Sequence, residues 1–210
     1  MSFVQLEGER ISLIPLELGH ADSLFHCSQS PQIWENLPCK IQSLNEMQNF
    51  IRTAILGREN GEEFPFVVYD KTLNRTVGMT RYLRISSAHK NLNIGWTWYS
   101  PEVWRTAVNT ECKYLLLKYA FEEWKAVRVE IITTTTHSRS QKAIERLGAK
   151  KEGVLRKKYY GLDYVMYSVI DEDWFDVKNR LESFLNRPID RLDIAVELKD
   201  TFIHQPKGDE

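Results

Sequence analysis

The sequence predicts an α+β fold, a mixed sheet with helices on its faces. Runs of alternating polarity and runs at helical spacing follow one another along the 210 residues. Their order, β-α-α-β-β-β-α-β-α-β-β, suits one layered sheet. The hydrophobic share of 42% is enough for one full core.

The first strand is "ERISLIPL", with Ile11 and Leu13 alternating. "LGHADSLFHCSQSPQIW" reads as a short helix broken near Pro31. "SLNEMQNFIRTAILGRENG" is a second helix, with Met47, Phe50, Ile51 and Ala54 on one face and Gly57 and Gly61 near its end. Three β-rich runs follow, "FPFVVYD" (64–70), "TVGMTRYLRI" (76–85) and "LNIGWTWYS" (92–100), joined by polar connections of hairpin length. The segment "WRTAVNT" leads into the helix "NTECKYLLLKYAFEEW". In that helix Tyr114, Leu117, Phe121 and Trp124 form the apolar stripe, while Lys113, Lys118, Glu122 and Glu123 are expected to face water. A strand "VRVEIITT" precedes the helix "SRSQKAIERLG", which Gly148 closes as a C-cap. Two strands about Gly161 and the helix "EDWFDVKNRLESFLN" complete the pattern. From about Arg187 to Glu210 no period is clear. Internal repeats and low-complexity tracts are absent.

Lys plus Arg (28) and Asp plus Glu (29) nearly cancel, to a net charge of −1, with no basic block. Nucleic acid and membrane surfaces are therefore not expected partners. Cys27, Cys39 and Cys112 are odd in number and follow no metal-ligand spacing, so reduced thiols, no metal and a cytoplasmic setting are expected. The start, "MSFVQLEGERISL", lacks the apolar core of a signal peptide, and no apolar run is long enough to span a bilayer.

"LEGERISLIPL", "VGMTRYLRI", "IGWTWYSPEVW", "NTECKYLLLKYAFEE" and "SRSQKAIERLGAKKEGVLRK" resemble, in order and spacing over roughly residues 5–186, the successive blocks of the RimJ/RimL-like branch of the GCN5-related N-acetyltransferase (GNAT) superfamily. The resemblance implies a largely antiparallel central sheet with splayed central strands and helices on both faces. It implies one acetyltransferase domain over 1–186, with 187–210 as a C-terminal extension. The implied activity is transfer of acetyl from acetyl-CoA to a primary amine, a protein N-terminus or a small molecule, by direct attack in a ternary complex. The alternative is a CoA-binding protein of this fold with weak or lost activity, acting as sensor or partner. A monomer or a homodimer is compatible with both.

The pyrophosphate loop of that family carries Arg or Gln, two variable residues, Gly, one variable residue, then Gly or Ala. Its frame falls on Trp104, Arg105, Thr106, Ala107, Val108 and Asn109, and all three signature positions depart from it. Ala107 adds only a methyl group to glycine, Asn109 tolerates left-handed backbone or serves as an N-cap, and Arg105 adds a charge. Backbone N–H groups at the helix start, through Thr110, can still face an anion. The plainer reading is an ordinary capped connection with Trp104 as core filler.

By the same resemblance, the backbone of Trp96, Thr97 and Trp98 pairs with the pantetheine arm. Both indoles share one strand face, because residues two apart point the same way. His137 stands where relatives usually place an Asn that contacts the cofactor; the plainer reading is a solvated loop histidine. Ser140, with Ala143, Ile144 and Leu147 on one helical face, is the candidate donor to the departing thiolate, or else simply satisfies the first turn. Glu130 is the candidate base, although a strand glutamate often faces solvent. Arg81, Asp163 and Tyr164 are candidates on the acceptor side; Arg81 has the charge to hold an acidic substrate group or an acyl carboxylate, with an ion pair the plainer account. The final hairpin, "YYGLDYVMYS", is shorter than in relatives, which leaves the acceptor open.

Overall fold

The protein is seen in a computed structural model that describes residues 4–186. The expected extension at 187–210 lies outside the described residues. Strands β1 (Leu6–Glu7), β2 (Ile11–Pro15), β3 (Glu63–Asp70), β4 (Arg75–Ser86), β5 (Asn91–Tyr99), β6 (Arg128–Thr134), β7 (Lys150–Tyr159) and β8 (Leu162–Ile170) form one sheet in the order β1-β2-β3-β4-β5-β6-β8-β7. Every neighbouring pair is antiparallel except β5 and β6, which run parallel. The mixed, largely antiparallel sheet expected from the sequence is present. The short β1, too brief for an alternation signal, is an addition.

Helices α1 (Ala21–Cys27), α2 (Pro31–Trp34) and α3 (Leu44–Glu59) pack on one face. Pro31 separates α1 from α2 by occupying the first turn of the second, where its missing N–H costs nothing. In α3 the Ser43 hydroxyl accepts the Glu46 N–H at 3.2 Å, and the Glu46 carboxylate accepts the Gln42 N–H at 2.7 Å. Met47, Ile51 and Ala54 turn the helix onto Val67, Met79 and Trp98 of the sheet. Helices α4 (Val108–Lys118), α5 (Ser138–Leu147) and α6 (Asp171–Leu185) cover the opposite face, over Leu92, Ile94, Val129, Ile131 and Tyr167. Helix α5 ends on Gly148, whose φ of 101° lies in the left-handed region where a glycine cap carries no Cβ penalty. The β7–β8 hairpin turns on Tyr160 and Gly161, both at positive φ, as a two-residue type I′ turn requires.

Helix α4 departs from the expected amphipathic helix in two ways. Its last turns, Tyr119–Glu123, widen into a π-helix, with Trp124 N–H bonded to the Tyr119 carbonyl at 3.0 Å. Lys113 does not face water: it is 5% exposed. The reason is that α4 is enclosed, with the sheet on one side and α6 on another, so a one-stripe pattern misassigns its flank. The Lys113 ammonium donates to the Thr97 hydroxyl at 2.8 Å, and Thr97 in turn bonds Thr80 at 2.8 Å. No carboxylate pairs with it among the described residues.

Burial pulls the Lys113 pKa down from 10.5 to about 8. Below about 8 the lysine is charged in both folded and unfolded states, and folding bears the desolvation cost. Between about 8 and 10.5 only the unfolded chain holds the proton, so stability rises with pH through that window. The full swing is on the order of 3 kcal/mol. Lys113→Met should therefore raise the melting temperature at pH 7 by several degrees, with the gain over the native chain shrinking by pH 10. Thermal melts at the two pH values check this; a destabilised variant at pH 7 contradicts it.

Candidate active site

The parallel pairing of β5 and β6 stops early. Asn91, Leu92, Asn93 and Ile94 match Arg128, Val129, Glu130 and Ile131, and beyond them the strands part. Each then stays with its outer neighbour: Gly95, Trp98 and Tyr99 pair with Arg81, Met79 and Gly78 of β4, while Ile132 to Thr134 pair with Met166 to Tyr164 of β8. A bulge in the β4–β5 register, with Trp96 at φ 49°, marks the bend. Gly78 permits the close approach of the bent strand, since a Cβ there would run into the Trp98 carbonyl. The result is a wedge whose inner edges carry unpaired main-chain groups.

Trp96 and Trp98 share the α1–α3 side of the sheet, as their spacing predicts. The Trp96 ring meets Phe50 edge-on at 5.5 Å, and the Trp98 ring lies 5.6 Å from Trp34. Thr97 points to the other side, where Lys113 holds it. Side-chain packing therefore fixes the strand from both faces and leaves its backbone edge free.

After β5 a short 3-10 turn, Pro101–Val103, feeds the glycine-free connection. The Trp104 indole N–H donates to the Tyr99 carbonyl at 2.9 Å, and the Thr106 hydroxyl donates to the Val103 carbonyl at 2.7 Å. Arg105 takes φ 62°, the left-handed region that a glycine would occupy freely. Its exposed side chain enters no ion pair among the described residues. Helix α4 starts at Val108 with Ala107 as its cap residue, so Asn109 lies inside the first turn rather than at the N-cap. Instead Asn109 accepts the Tyr99 hydroxyl at 3.2 Å. Val108 N–H bonds the Thr106 hydroxyl at 3.3 Å, whereas the amides of Ala107, Asn109 and Thr110 have no acceptor among the described residues. Free amides at a helix start present partial positive charge. The Thr110 hydroxyl is taken by Arg146 at 2.7 Å.

Across the wedge, His137 and Ser140 lie where β6 turns into α5. His137 packs its ring nitrogens unequally: Nδ1 lies 3.4 Å from the Thr133 hydroxyl, and Nε2 is buried without a partner. Burial, with a smaller contribution from Arg139, lowers its pKa, which favours the neutral imidazole. Ser140 is half-buried in the first turn of α5, its hydroxyl without a bond to another described side chain. A cavity of about 330 Å³ opens here, lined by Gln32, Glu35 and Asn36 from the end of α2, facing Trp104, His137 and Arg139. The Arg139 guanidinium stacks over the Trp104 ring at 4.1 Å, linking α5 to the loop. Glu35 and its neighbours were not singled out in the sequence. No local motif marks them, and only tertiary packing brings them opposite Trp104 and the turn into α5.

The other candidates are more dispersed. Glu130 sits beside the closed end of the wedge, opposite Asn93, with its carboxylate bonded to Arg128 at 2.8 Å. Asp163 accepts the Lys157 N–H at 2.8 Å and so holds the β7–β8 hairpin. Tyr164 meets Tyr159 edge-on at 5.3 Å, and burial raises its pKa. Arg81 on β4 is 3% exposed, bonded to Glu63 at 2.9 Å and flanked by the rings of Phe50 and Trp96.

The sequence pattern described as "Acetyltransferase (GNAT) domain" matches residues 10–150. Among related proteins, the chain is similar to YoaA of Bacillus subtilis (strain 168), described as an uncharacterized N-acetyltransferase. The two are 25% identical over 178 residues, which covers 80% of this chain and 97% of that protein. A GCN5-related N-acetyltransferase from Brucella melitensis superposes with a TM-score of 0.82 at 25% identity, covering 88% of this chain and 86% of the other. RimL, described as a ribosomal L7/L12 alpha-N-protein acetyltransferase, shares the fold with a TM-score of 0.72 at 17% identity, covering 80% of this chain and 94% of that one.

The backbone at Arg105 generates a direct check. Arg105→Gly should be more stable than Arg105→Ala by about 1 kcal/mol, because alanine keeps the left-handed penalty and glycine does not. Urea midpoints measure the difference. The reverse order would mean that residue 105 is not left-handed in solution.

Proposed function

The chain belongs to the acetyltransferase (GNAT) family and is an N-acetyltransferase; on that premise we propose that it moves acetyl from acetyl-CoA to a primary amine by direct attack within the wedge between β5 and β6. The observation that carries this reading is the unpaired inner edge of β5 beyond Ile94, which leads through the loop to the free amides of α4. The described residues fit a donor of that shape. An extended, amide-bearing arm can pair with the backbone of Trp96, Thr97 and Trp98 as an added strand would. A pyrophosphate can lie on the amides of Ala107, Asn109 and Thr110, with Arg105 adding charge and the Val108 amide committed to Thr106.

Acetyl-CoA supplies the activated thioester carbonyl. The chain's own residues align it and exclude water, and strand N–H groups on the wedge edge stabilise developing negative charge on the carbonyl oxygen. His137, kept neutral, offers Nε2 to the donor arm. Ser140 donates a proton to the departing thiolate, a task open to it because its hydroxyl is uncommitted. Arg128 engages the Glu130 carboxylate, so we put forward Glu35, in the cavity wall facing His137, as the acceptor of the amine proton. Positioning of a free amine contributes the remainder. Asp163 and Tyr164 shape the acceptor side through the hairpin. The acceptor is a protein N-terminus or a small-molecule amine. A cytoplasmic setting fits the free thiols of Cys27, Cys39 and Cys112.

Calorimetric titration with acetyl-CoA, followed by a thiol-release screen over amines, tests the reading. Micromolar binding and turnover of at least one amine are expected; no binding at high micromolar concentration overturns it. Ala107→Glu, at an exposed position, should abolish binding without lowering the melting temperature, by placing a carboxylate against pyrophosphate. Unchanged affinity would remove the loop from the site. Ser140→Ala and Glu35→Gln should each lower kcat by roughly 100-fold with acetyl-CoA affinity within about twofold. An unchanged kcat in either variant removes that residue from proton transfer.

A further inference from the structure

Among the described residues, the buried side-chain nitrogens and oxygens without a hydrogen-bond partner are Arg81 Nε and Nη2, Trp98 Nε1 and His137 Nε2. They belong to β4, to β5 and to the turn after β6, three consecutive strands of the sheet at the wedge. Buried donors are ordinarily paired, and each one left open costs about 1–3 kcal/mol. Arg81 accounts for two of the four.

Its guanidinium is partnered on one side only. Nη1 donates to the Glu63 carboxylate at 2.9 Å. Nε and Nη2 form the opposite edge of the planar group, the two parallel N–H bonds that match both oxygens of a carboxylate. Phe50 lies 4.5 Å from the guanidinium carbon and Trp96 lies 5.0 Å from it, so the open edge sits in an aromatic, desolvated box. Both rings are half-buried, whereas the guanidinium between them is buried. Burial weakens the charged form, with Glu63 offsetting part of the penalty. A second anion on the open edge would complete the compensation.

The position of the box says which reactant brings that anion. Trp96 follows Ile94, the last β5 residue paired with β6, by two positions, so the box lies beside the point where the strands part. It also lies on the α1–α3 side of the sheet, whereas the free amides at the start of α4 belong to the helix on the other side. The donor is expected at those amides, which leaves the Arg81 side for the acceptor.

We propose that the acceptor is an amine that also carries a carboxylate, the class of the free amino acids, and that the Nε–Nη2 edge of Arg81 binds this carboxylate between Phe50 and Trp96. The proposal rests on the acyltransferase reading, and the two can fail separately. Glu63 is then a positioning residue that fixes the guanidinium so that its open edge faces the acceptor. Trp96 joins the two half-sites, with its backbone in the donor edge and its ring in the acceptor box.

The test uses the whole chain saturated with CoA and a panel of N-acetylamino acids, each compared with its C-terminal amide, by calorimetry or tryptophan fluorescence. These product-like probes need no turnover. At least one acid should bind tenfold or more tightly than its amide, and Arg81→Met should bring that ratio within twofold. Arg81→Lys, which keeps the charge but loses the fork, should give an intermediate ratio. A native chain that nowhere favours the acid fivefold overturns the proposal, whatever the variants do. A ratio that persists in a folded Arg81→Met variant does the same. Preference for succinyl-CoA over acetyl-CoA with neutral amines would place the carboxylate on the acyl group and also overturn it. Discrimination between acid and amide without turnover of any amine supports the carboxylate site and sinks the transferase reading alone. Turnover without discrimination sinks the carboxylate site alone.

Discussion

Main-chain N–H and C=O groups inside a sheet require partners, and the whole site depends on one place where this sheet withholds them. β5 and β6 share four residue pairs and then separate, although both strands continue. The separation is held from outside: β4 keeps β5 and β8 keeps β6, so the inner edges cannot collapse together without breaking two established ladders. An open edge within a folded sheet invites an extended ligand, as an exposed edge strand invites another chain. The parallel β5–β6 pair adds a second consequence. The crossover between them must return through a helix, and that helix begins with its free amides near the open end of the wedge.

Two buried cations flank the bent strand, one on each face. Lys113 grips Thr97 from the α4 side, with that single hydroxyl as its hydrogen-bond partner among the described residues. Arg81 lies on the α3 side beside Trp96 with one carboxylate and two open donors. Neither is an economical way to stabilise a fold, since a buried charge generally costs more than an apolar side chain of similar size. Their shared neighbourhood, the segment from Trp96 to Trp98, connects the cost with the site. Lys113 has a protein partner in Thr97, whereas Arg81 keeps two donors without one.

Much of this was legible in the sequence. Alternation identified β2, and β-rich composition identified β3, β4 and β5, each within a residue or two; the spacing of Trp96 and Trp98 placed both rings on one face. Gly148 marked the end of α5, as its left-handed backbone requires. What the sequence could not carry was context. Lys113 looked solvated because helical periodicity assumes one buried stripe, and α4 has more than one packed side. Asn109 has the chemistry of a cap, yet the helix starts two residues earlier than that role requires and the side chain answers to Tyr99. Arg105 adopts the glycine-like conformation that the loop's composition seemed to lack. Glu35 and Asn36 reach the cavity beside Trp104 and His137 only through tertiary packing of a four-residue helix, which leaves no periodic trace. The identity of Arg81's open edge is likewise a property of the fold, since only the folded side chains show which of its donors Glu63 takes.

The proposed acetyl transfer requires the inner edge of β5 and the amides of α4 to act as one donor site. Amide hydrogen exchange on the native chain, with and without saturating CoA, tests it residue by residue. Protection should appear together at Trp96 to Trp98 and at Ala107 to Thr110, with the β7–β8 turn at Tyr160 and Gly161 unaffected. CoA binding without new protection in either segment, or with protection confined to other strands, would contradict it.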